Sequence, residues 1–479
     1  MRKIRTVLCV IACILYIMED VRTDHPAAFA KEVKRFEFNA AEYGAVGDGK
    51  TLNTKAIQQA LDACEKNGGG TVIIPPGRFV SGTLFLKNNT DLHLAPGAVL
   101  KASPNREDYC GLDAYPQNFE APSEGWGSAH LIAAVNVKNV AITGEGTIDG
   151  SADAFLGEPK TAPKGATDWR FGFAYTKGLS PKIDLAPDRK MLRPGQLIVF
   201  CECQSVRMKN VSVRNTPSWC CFFYGCEDVF ISGLKIDNPP FFANSDGLDI
   251  DSCRNVAVSD CRIITGDDAI AVRGAPSHLL NKDRVCEHIV ITNCILSSSS
   301  CVFRIGVGNG TIRDVSISNI IILTGGTGFH FQSSYSKKDQ RGVNISRVRC
   351  NNINMRAVFY PIQISPGTES AEAVIEDIVF DGIYAESYGG IVISGNGKTD
   401  PKRITIRNSE FAAVKNPVQM LRFPEAYFRV SGKATARFED VSLRWNDAEH
   451  WKRPSDFAKS ASVKTVHCDW PEPSKESKQ

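Results

Sequence analysis

A short phrase recurs through the middle of this chain, and its spacing limits the folds open to it. The clearest copies are Cys203-Gln-Ser-Val206, Cys226-Glu-Asp-Val229, Cys253-Arg-Asn-Val256, Cys286-Glu-His-Ile289 and Ile312-Arg-Asp-Val315. Looser copies follow at Val343-Asn-Ile345, Ile378-Val-Phe380 and Ile404-Thr-Ile406. The steps between the marker residues are 23, 27, 33, 26, 28, 35 and 26. Around each marker, apolar and polar residues alternate with the strand period of two, and Asn, Asp or Gly separates one run from the next. Repeats of this length belong to solenoids, propellers or arrays. A propeller blade needs about 40 residues, and helical repeats would show a period of 3.6. The remaining solution is all-β: a single-stranded right-handed parallel β-helix. Its coils of two or three short strands stack roughly 4.8 Å apart and bury an inward row of Val, Ile and Cys.

A solenoid must be closed at its ends. Residues 54–67 carry Ile57, Ala60, Leu61 and Cys64 on one helical face, which predicts a short helix capping the first coil. The phrase is lost after Trp445, so the repeat is expected over residues 31–445. Residues 446–479 would then form a closing segment with a disordered tail. At the other end, Met1-Arg2-Lys3-Ile4-Arg5 precedes an uncharged apolar run from Thr6 to Met18, the pattern of a secretory signal. Ala28-Phe29-Ala30 is a small-x-small cleavage site, giving a signal over residues 1–30 and a secreted or periplasmic product. The alternatives are an uncleaved anchor, for which the run is short, and a lipoprotein box at Val10-Ile11-Ala12-Cys13. No later stretch is long enough to span a membrane.

The chain has 479 residues, a net charge of +3, 43% hydrophobic and 23% charged residues. Those values exclude a disordered chain and argue against a nucleic-acid binder held by phosphate contacts. The 16 cysteines raise the question of a disulfide framework. Most sit at strand-like positions inside apolar runs, so small buried apolar residues are expected rather than bridges. No zinc-spaced set of cysteines and histidines is present, and a monomer is expected.

Chemistry concentrates in two acidic segments, Asn244-Ser245-Asp246-Gly247-Leu248-Asp249-Ile250-Asp251 and Thr265-Gly266-Asp267-Asp268. Asp246 precedes Asp267 by 21 residues and Asp268 by 22, about one coil, so the acids should lie side by side on adjacent coils. Like charges held together split their pKa values, leaving a protonated acid beside ionised partners. Glycoside hydrolysis needs that combination, and the spacing can supply the roughly 6.5–9.5 Å separation of inverting enzymes. Calcium binding or turn chemistry at coil corners would also account for the acids. Asp249 and Asp251 alternate with Leu248 and Ile250 and should point outward in a supporting role.

These residues resemble glycoside hydrolase family 28, the polygalacturonase family, whose fold is a right-handed parallel β-helix. Asn244-Ser245-Asp246 is similar to the family's Asn-Thr-Asp motif, and Gly266-Asp267-Asp268 to its Asp-Asp motif. Ala41-Glu-Tyr-Gly-Ala-Val-Gly-Asp-Gly49, Gly68-Gly-Gly-Thr-Val-Ile-Ile-Pro-Pro-Gly77 and Gly144-Glu-Gly-Thr-Ile-Asp-Gly150 resemble other phrases of the family. The resemblance implies Asp267 as general acid, Asp246 and Asp268 as holders and bases of the attacking water, and Asn244 as their orienting partner. It implies inversion at the anomeric carbon and no metal or organic cofactor.

Two family motifs differ here. Alignment of Arg304-Ile305-Gly306 with the end of the Gly-His-Gly motif puts Cys301 at the histidine. Alignment of Gly328-Phe-His-Phe-Gln332 with the Arg-Ile-Lys coil puts His330 and Gln332 at its two cations, which in polygalacturonases grip the uronate carboxylate. Glutamine cannot replace lysine as a charge partner, which weakens the case for plain polygalacturonan. Arg273 and Arg304 are placed to supply positive charge in the substrate site. Arg304 could instead be an outward residue paired with an acid, and His330 could be structural. Trp126, Trp169, Phe241, Phe242, Tyr335 and Tyr360 are candidates for stacking on sugar rings, with Phe241-Phe242 preferred. Residues 157–193 should form loops over the groove. The leading expectation is an exported inverting hydrolase of pectic or related polysaccharides. The alternatives are a polysaccharide lyase on the same fold and a non-catalytic carbohydrate-binding β-helix.

Overall fold

The computed structural model describes residues 36–110, 129–155, 193–239, 244–335, 341–367, 372–414, 425–446 and 451–472. The expected signal and lipoprotein box, Trp126, Trp169, Phe241, Phe242, residues 157–192 of the expected loops and the last seven residues lie outside them. From Glu37 onward the chain forms one compact unit. Its strands join a single sheet, and every recorded pairing is parallel. The fold is a right-handed parallel β-helix. Among the described residues no helix is long and apolar enough to cross a membrane.

The repeated phrase is one rung of this stack. Val206, Val229, Val256, Ile289 and Val315 pair in register from coil to coil and are all buried. The line continues through Val348, Ile378 and Ile404. Val348, rather than Val343, is therefore the true copy in its coil. The residue before each marker explains why the phrase is legible. Ser205, Asp228, Asn255, His288, Asp314, Arg347, Asp377 and Arg403 all have φ between 53° and 58°, turning the chain at the same corner. Asn and Asp tolerate this left-handed conformation best among side-chain-bearing residues. Several of these residues also hold one another across the coils. The Asn255 amide donates to Asp228 at 3.0 Å, and the Arg347 guanidinium donates to Asp314 at 2.6 and 2.7 Å.

Inward residues stack in kind. Phe200 lies over Phe223 at 5.3 Å, and Phe303 over Phe329 at 4.8 Å, with rings nearly parallel. The cysteines of the phrase sit just before the corner. Cys203, Cys226 and Cys253 each reach a backbone carbonyl of the preceding coil, at 3.2–3.3 Å. The described cysteines are all unbridged, and all but Cys110 and Cys468 are buried.

The helix Thr54–Lys66 buries Ile57, Ala60, Leu61 and Cys64 on the first coils, the four residues its periodicity selects. At the other end the stack runs further than the phrase does. Strands Arg453–Phe457 and Ser462–Val466 pair with Ala426–Ser431 and Thr435–Trp445, so coiling does not stop at Trp445. Pro454 and the charges around it hide the first of these strands from an alternation search.

Candidate active site

Strands Leu248–Asp251 and Ile270–Gly274 pair in register, Leu248 opposite Ile270. Two residues before each strand stand Asp246 and Asp268, bracketed by bonds from Cys220 N–H to Asp246 O and from Gly247 N–H to Asp268 O, each 2.9 Å. Asp267 completes the cluster. One carboxylate oxygen from each of Asp246, Asp267 and Asp268 lies within 4.8 Å of the other two. Adjacent rungs are a fixed hydrogen-bonded distance apart, so acids facing the same way on neighbouring coils must come this close.

Asp246 and Asp268 are buried, each 4% exposed, while Asp267 keeps part of its surface open. Backbone donors fix Asp267: Asn244 N–H meets its Oδ2 at 3.0 Å and Asp268 N–H meets its Oδ1 at 3.1 Å. Asn244 thus acts on the acids through its main chain, at φ 57°, and its side-chain oxygen accepts from Arg193 at 3.5 Å. Burial, then the neighbouring Asp268, pushes the Asp267 carboxyl up to about 6, against opposing pulls from Asn244 N–H, Arg304 and Ser300. Asp246 is driven well above the carboxylate range, first by burial and then by Asp249, Asp267 and Asp268, with Arg273 opposing.

Asp268 carries the ion pair of the site. The Arg304 guanidinium donates to it through Nε at Oδ2 and through Nη2 at Oδ1, the latter at 3.3 Å. The remaining Arg304 contacts are Gln332 Oε1 at 2.8 Å, Cys301 Sγ at 3.3 Å and His330 Nδ1 at 3.5 Å. Burial alone would lower the Arg304 pKa, but the Asp268 carboxylate holds it well above its ordinary value. His330 faces this cluster between the core residues Phe329 and Phe331. Burial and Arg304 push its pKa down to about 3, so the imidazole is neutral at ordinary pH. Tyr335, 63% exposed, stands with its ring centre 5.9 Å from the Arg304 guanidinium.

Arg273 is placed differently from expectation. It lies 3.6 Å from Asp251 and 4.6 Å from the Trp219 ring centre, turned toward the neighbouring buried layer. Asp249 and Asp251 do leave the coil interior, but neither reaches solvent, at 0% and 3% exposed. A second apolar layer on the outer face, including Val199, Trp219, Phe222 and Tyr224, covers that side, and Phe222 pairs in register with Asp249. Among the described residues neither Asp249 oxygen has a hydrogen-bond partner, and burial followed by the surrounding acids raises its pKa well above the ordinary value against Arg273. Sequence reasoning missed Arg193 and Ser300. Ser300 lies in a four-serine run, Ser297 to Ser300, with no local mark of its contact with Asp267.

The three acids are close enough to share one divalent ion, although Arg304 already occupies Asp268. A second group, Glu287, His288 and Asp314, has similar spacing, but Arg254 and Arg313 hold Glu287 and Arg347 holds Asp314.

The profile of glycosyl hydrolases family 28 matches residues 117–411, more than half of the chain and both acid-bearing coils. The chain belongs to this family. A profile described as rhamnogalacturonase A/epimerase, pectate lyase-like, matches residues 37–172. Among the relatives, a probable polygalacturonase of Vitis vinifera is 28% identical over 310 residues, 62% of this chain and 57% of that protein. The chain therefore spans little more than half the length of that relative. An endo-polygalacturonase of Pectobacterium carotovorum subsp. carotovorum is 28% identical over 374 residues, 74% of this chain and 83% of that protein. The solved family 28 exopolygalacturonase of Yersinia enterocolitica superposes with a TM-score of 0.66 at 22% identity, covering 92% of this chain and 79% of that one.

Proposed function

We propose that the protein is an exported inverting glycoside hydrolase acting on pectic or related polysaccharides and oligosaccharides. The observation that carries the reading is the meeting of Asp246, Asp267 and Asp268 within 4.8 Å, on a chain of family 28. Asp267, whose pKa is raised to about 6, keeps a proton in mildly acidic solution and gives it to the glycosidic oxygen as the bond to the anomeric carbon breaks. Asp246 and Asp268 hold a water on the opposite face. As its oxygen bonds to the anomeric carbon, its proton passes to Asp268, which Arg304 holds in place. Asn244 fixes Asp267 through its N–H. Substrate contacts come from His330 and Gln332, which Arg304 holds in place together with Asp268, and Arg273 supports the acids from behind.

Residues 1–30 serve as an export signal, residues 31–445 form the catalytic domain, and residues 446–479 close it, with the strands through Val466 as part of the coil. The enzyme works as a monomer. NMR of the first product from a panel of pectic oligosaccharides tests the reading. Inverted anomeric configuration is expected, and retention would refute the roles assigned to the acids. Unsaturated product absorbing in the near ultraviolet, with activity lost to a chelator, would instead establish a lyase.

A further inference from the structure

We propose that the sugar held against Asp267 and Asp268 carries no free carboxylate, so the preferred substrate presents an uncharged ring, neutral or esterified at C6, to the acids. This inference rests on the hydrolase reading and concerns the substrate of that same site. A uronate in contact with three acids needs a cation with donors to spare, because its own charge repels theirs.

The arginines that the described residues bring nearest the acids are committed elsewhere or too far away. Arg304 directs Nε and Nη2 at Asp268, Nη2 also at Cys301, and Nη1 at Gln332 and His330. Arg273 faces Asp251 and Trp219. Arg193, 2% exposed, lies behind Asn244. Arg429 stands in the same outward line as His330, through Gln363 and Val392, three coils further on. That is about 14 Å away, too far to serve the same ring.

The groups beside Arg304 are uncharged. Gln332 is an amide that accepts from Arg304 and donates to Ser334 O at 3.1 Å. His330 is a neutral imidazole, and Cys301 is a buried thiol whose pKa burial raises. An imidazole, an amide and a thiol suit a hydroxyl, a methyl group or an ester. A carboxylate placed among them would lose its hydration without gaining a counter-charge.

The test uses the full-length protein and length-matched oligosaccharides of three kinds: free-acid polygalacturonate, its fully methyl-esterified form, and a chain alternating galacturonate with rhamnose. Initial rates of reducing-end release give kcat/KM for each. At least a tenfold preference for the esterified or the alternating chain over the free acid is expected, and whichever wins identifies the source of the uncharged ring. Fastest cleavage of the free acid overturns the inference and leaves the hydrolase reading standing. Cleavage of none of the three overturns the hydrolase reading and takes the inference with it. Gln332→Lys and His330→Arg supply the missing charge. Each, with parental circular dichroism, should lower KM for the free-acid oligomer about tenfold relative to KM for the ester. An unchanged free-acid KM in both variants counts against the inference.

Discussion

Replacing Asp267 with Asn should sharply reduce turnover and, as pH rises, favour the folded state of the variant over that of the parent. The Asp267 pKa is about 6 in the folded protein against an ordinary value of 3.8. A folded-state pKa raised in this way contributes nothing unfavourable below 3.8, where both states hold the proton. Folding then becomes progressively costlier as pH climbs through 6, because only the unfolded chain ionises freely. Linkage over these two values gives a cost well under about 1 kcal/mol at pH 4, rising to about 3 kcal/mol at pH 8. Asparagine never ionises and escapes it. The amide can accept from only one of the Asn244 and Asp268 N–H groups that now meet separate oxygens. That loss of about 1–3 kcal/mol is the same at every pH and cancels from the difference. The variant should therefore gain about 2–3 kcal/mol on the parent between pH 4 and pH 8. With an unfolding entropy of roughly 0.9 kcal/mol/K for a chain of this size, the Tm difference between the two proteins should move by about 3 °C. Scanning calorimetry of both proteins at the two pH values measures it. A difference that does not change with pH, or moves the other way, refutes the buried, acid-crowded setting assigned to Asp267. On the activity side, loss of the proton donor should lower kcat by about 10²–10⁴-fold.

Three further outcomes follow from the same geometry. The parent's kcat/KM should fall above about pH 6, as Asp267 loses its proton, and Ser300→Ala should carry that falling limb to higher pH by removing a hydrogen bond that favours the ionised form. A pH–rate profile reads both, and a limb shifted downward would contradict the assignment. Arg304→Met breaks a buried ion pair and should lower stability by about 3–5 kcal/mol in urea titrations, whereas a loss below about 1 kcal/mol would mean that Asp268 does not depend on it. The Cys301 thiol is buried and held protonated, so iodoacetamide should reach the partly exposed Cys110 and Cys468 in the native protein but Cys301 only after denaturation, as peptide mass spectrometry would show.

The coil was readable because two constraints repeat along it. Inward positions must be apolar, and the corner before each marker must accept a left-handed turn, so Val206, Val229 and Val256 and the residues before them leave a periodic mark. The acids were readable for the same reason, since one coil of spacing places Asp246 beside Asp268. Alternation tells which side of a strand a residue faces but not whether that side is covered. Asp249 and Asp251 were therefore expected outside and lie under a second apolar layer. Arg304 stands opposite Ala271 in regular register, and its partner Asp268 lies three residues before Ala271. That contact depends on how far a long side chain reaches back along the neighbouring coil, which leaves no periodic trace. Val343 was mistaken for a marker because the copy in that coil falls five residues later, at Val348.

The separation of the acids follows from how this protein is wound. Asp246 and Asp268 occupy consecutive rungs, and the rise between rungs is set by main-chain hydrogen bonds that no side-chain change can stretch. Natural variation and engineering therefore have little freedom to widen or narrow the gap between these carboxyl groups. What they can adjust is the company the acids keep: the serine touching one, the guanidinium clasping another, the amide and imidazole alongside. In a scaffold so regular, diversification proceeds by redecorating a constant frame.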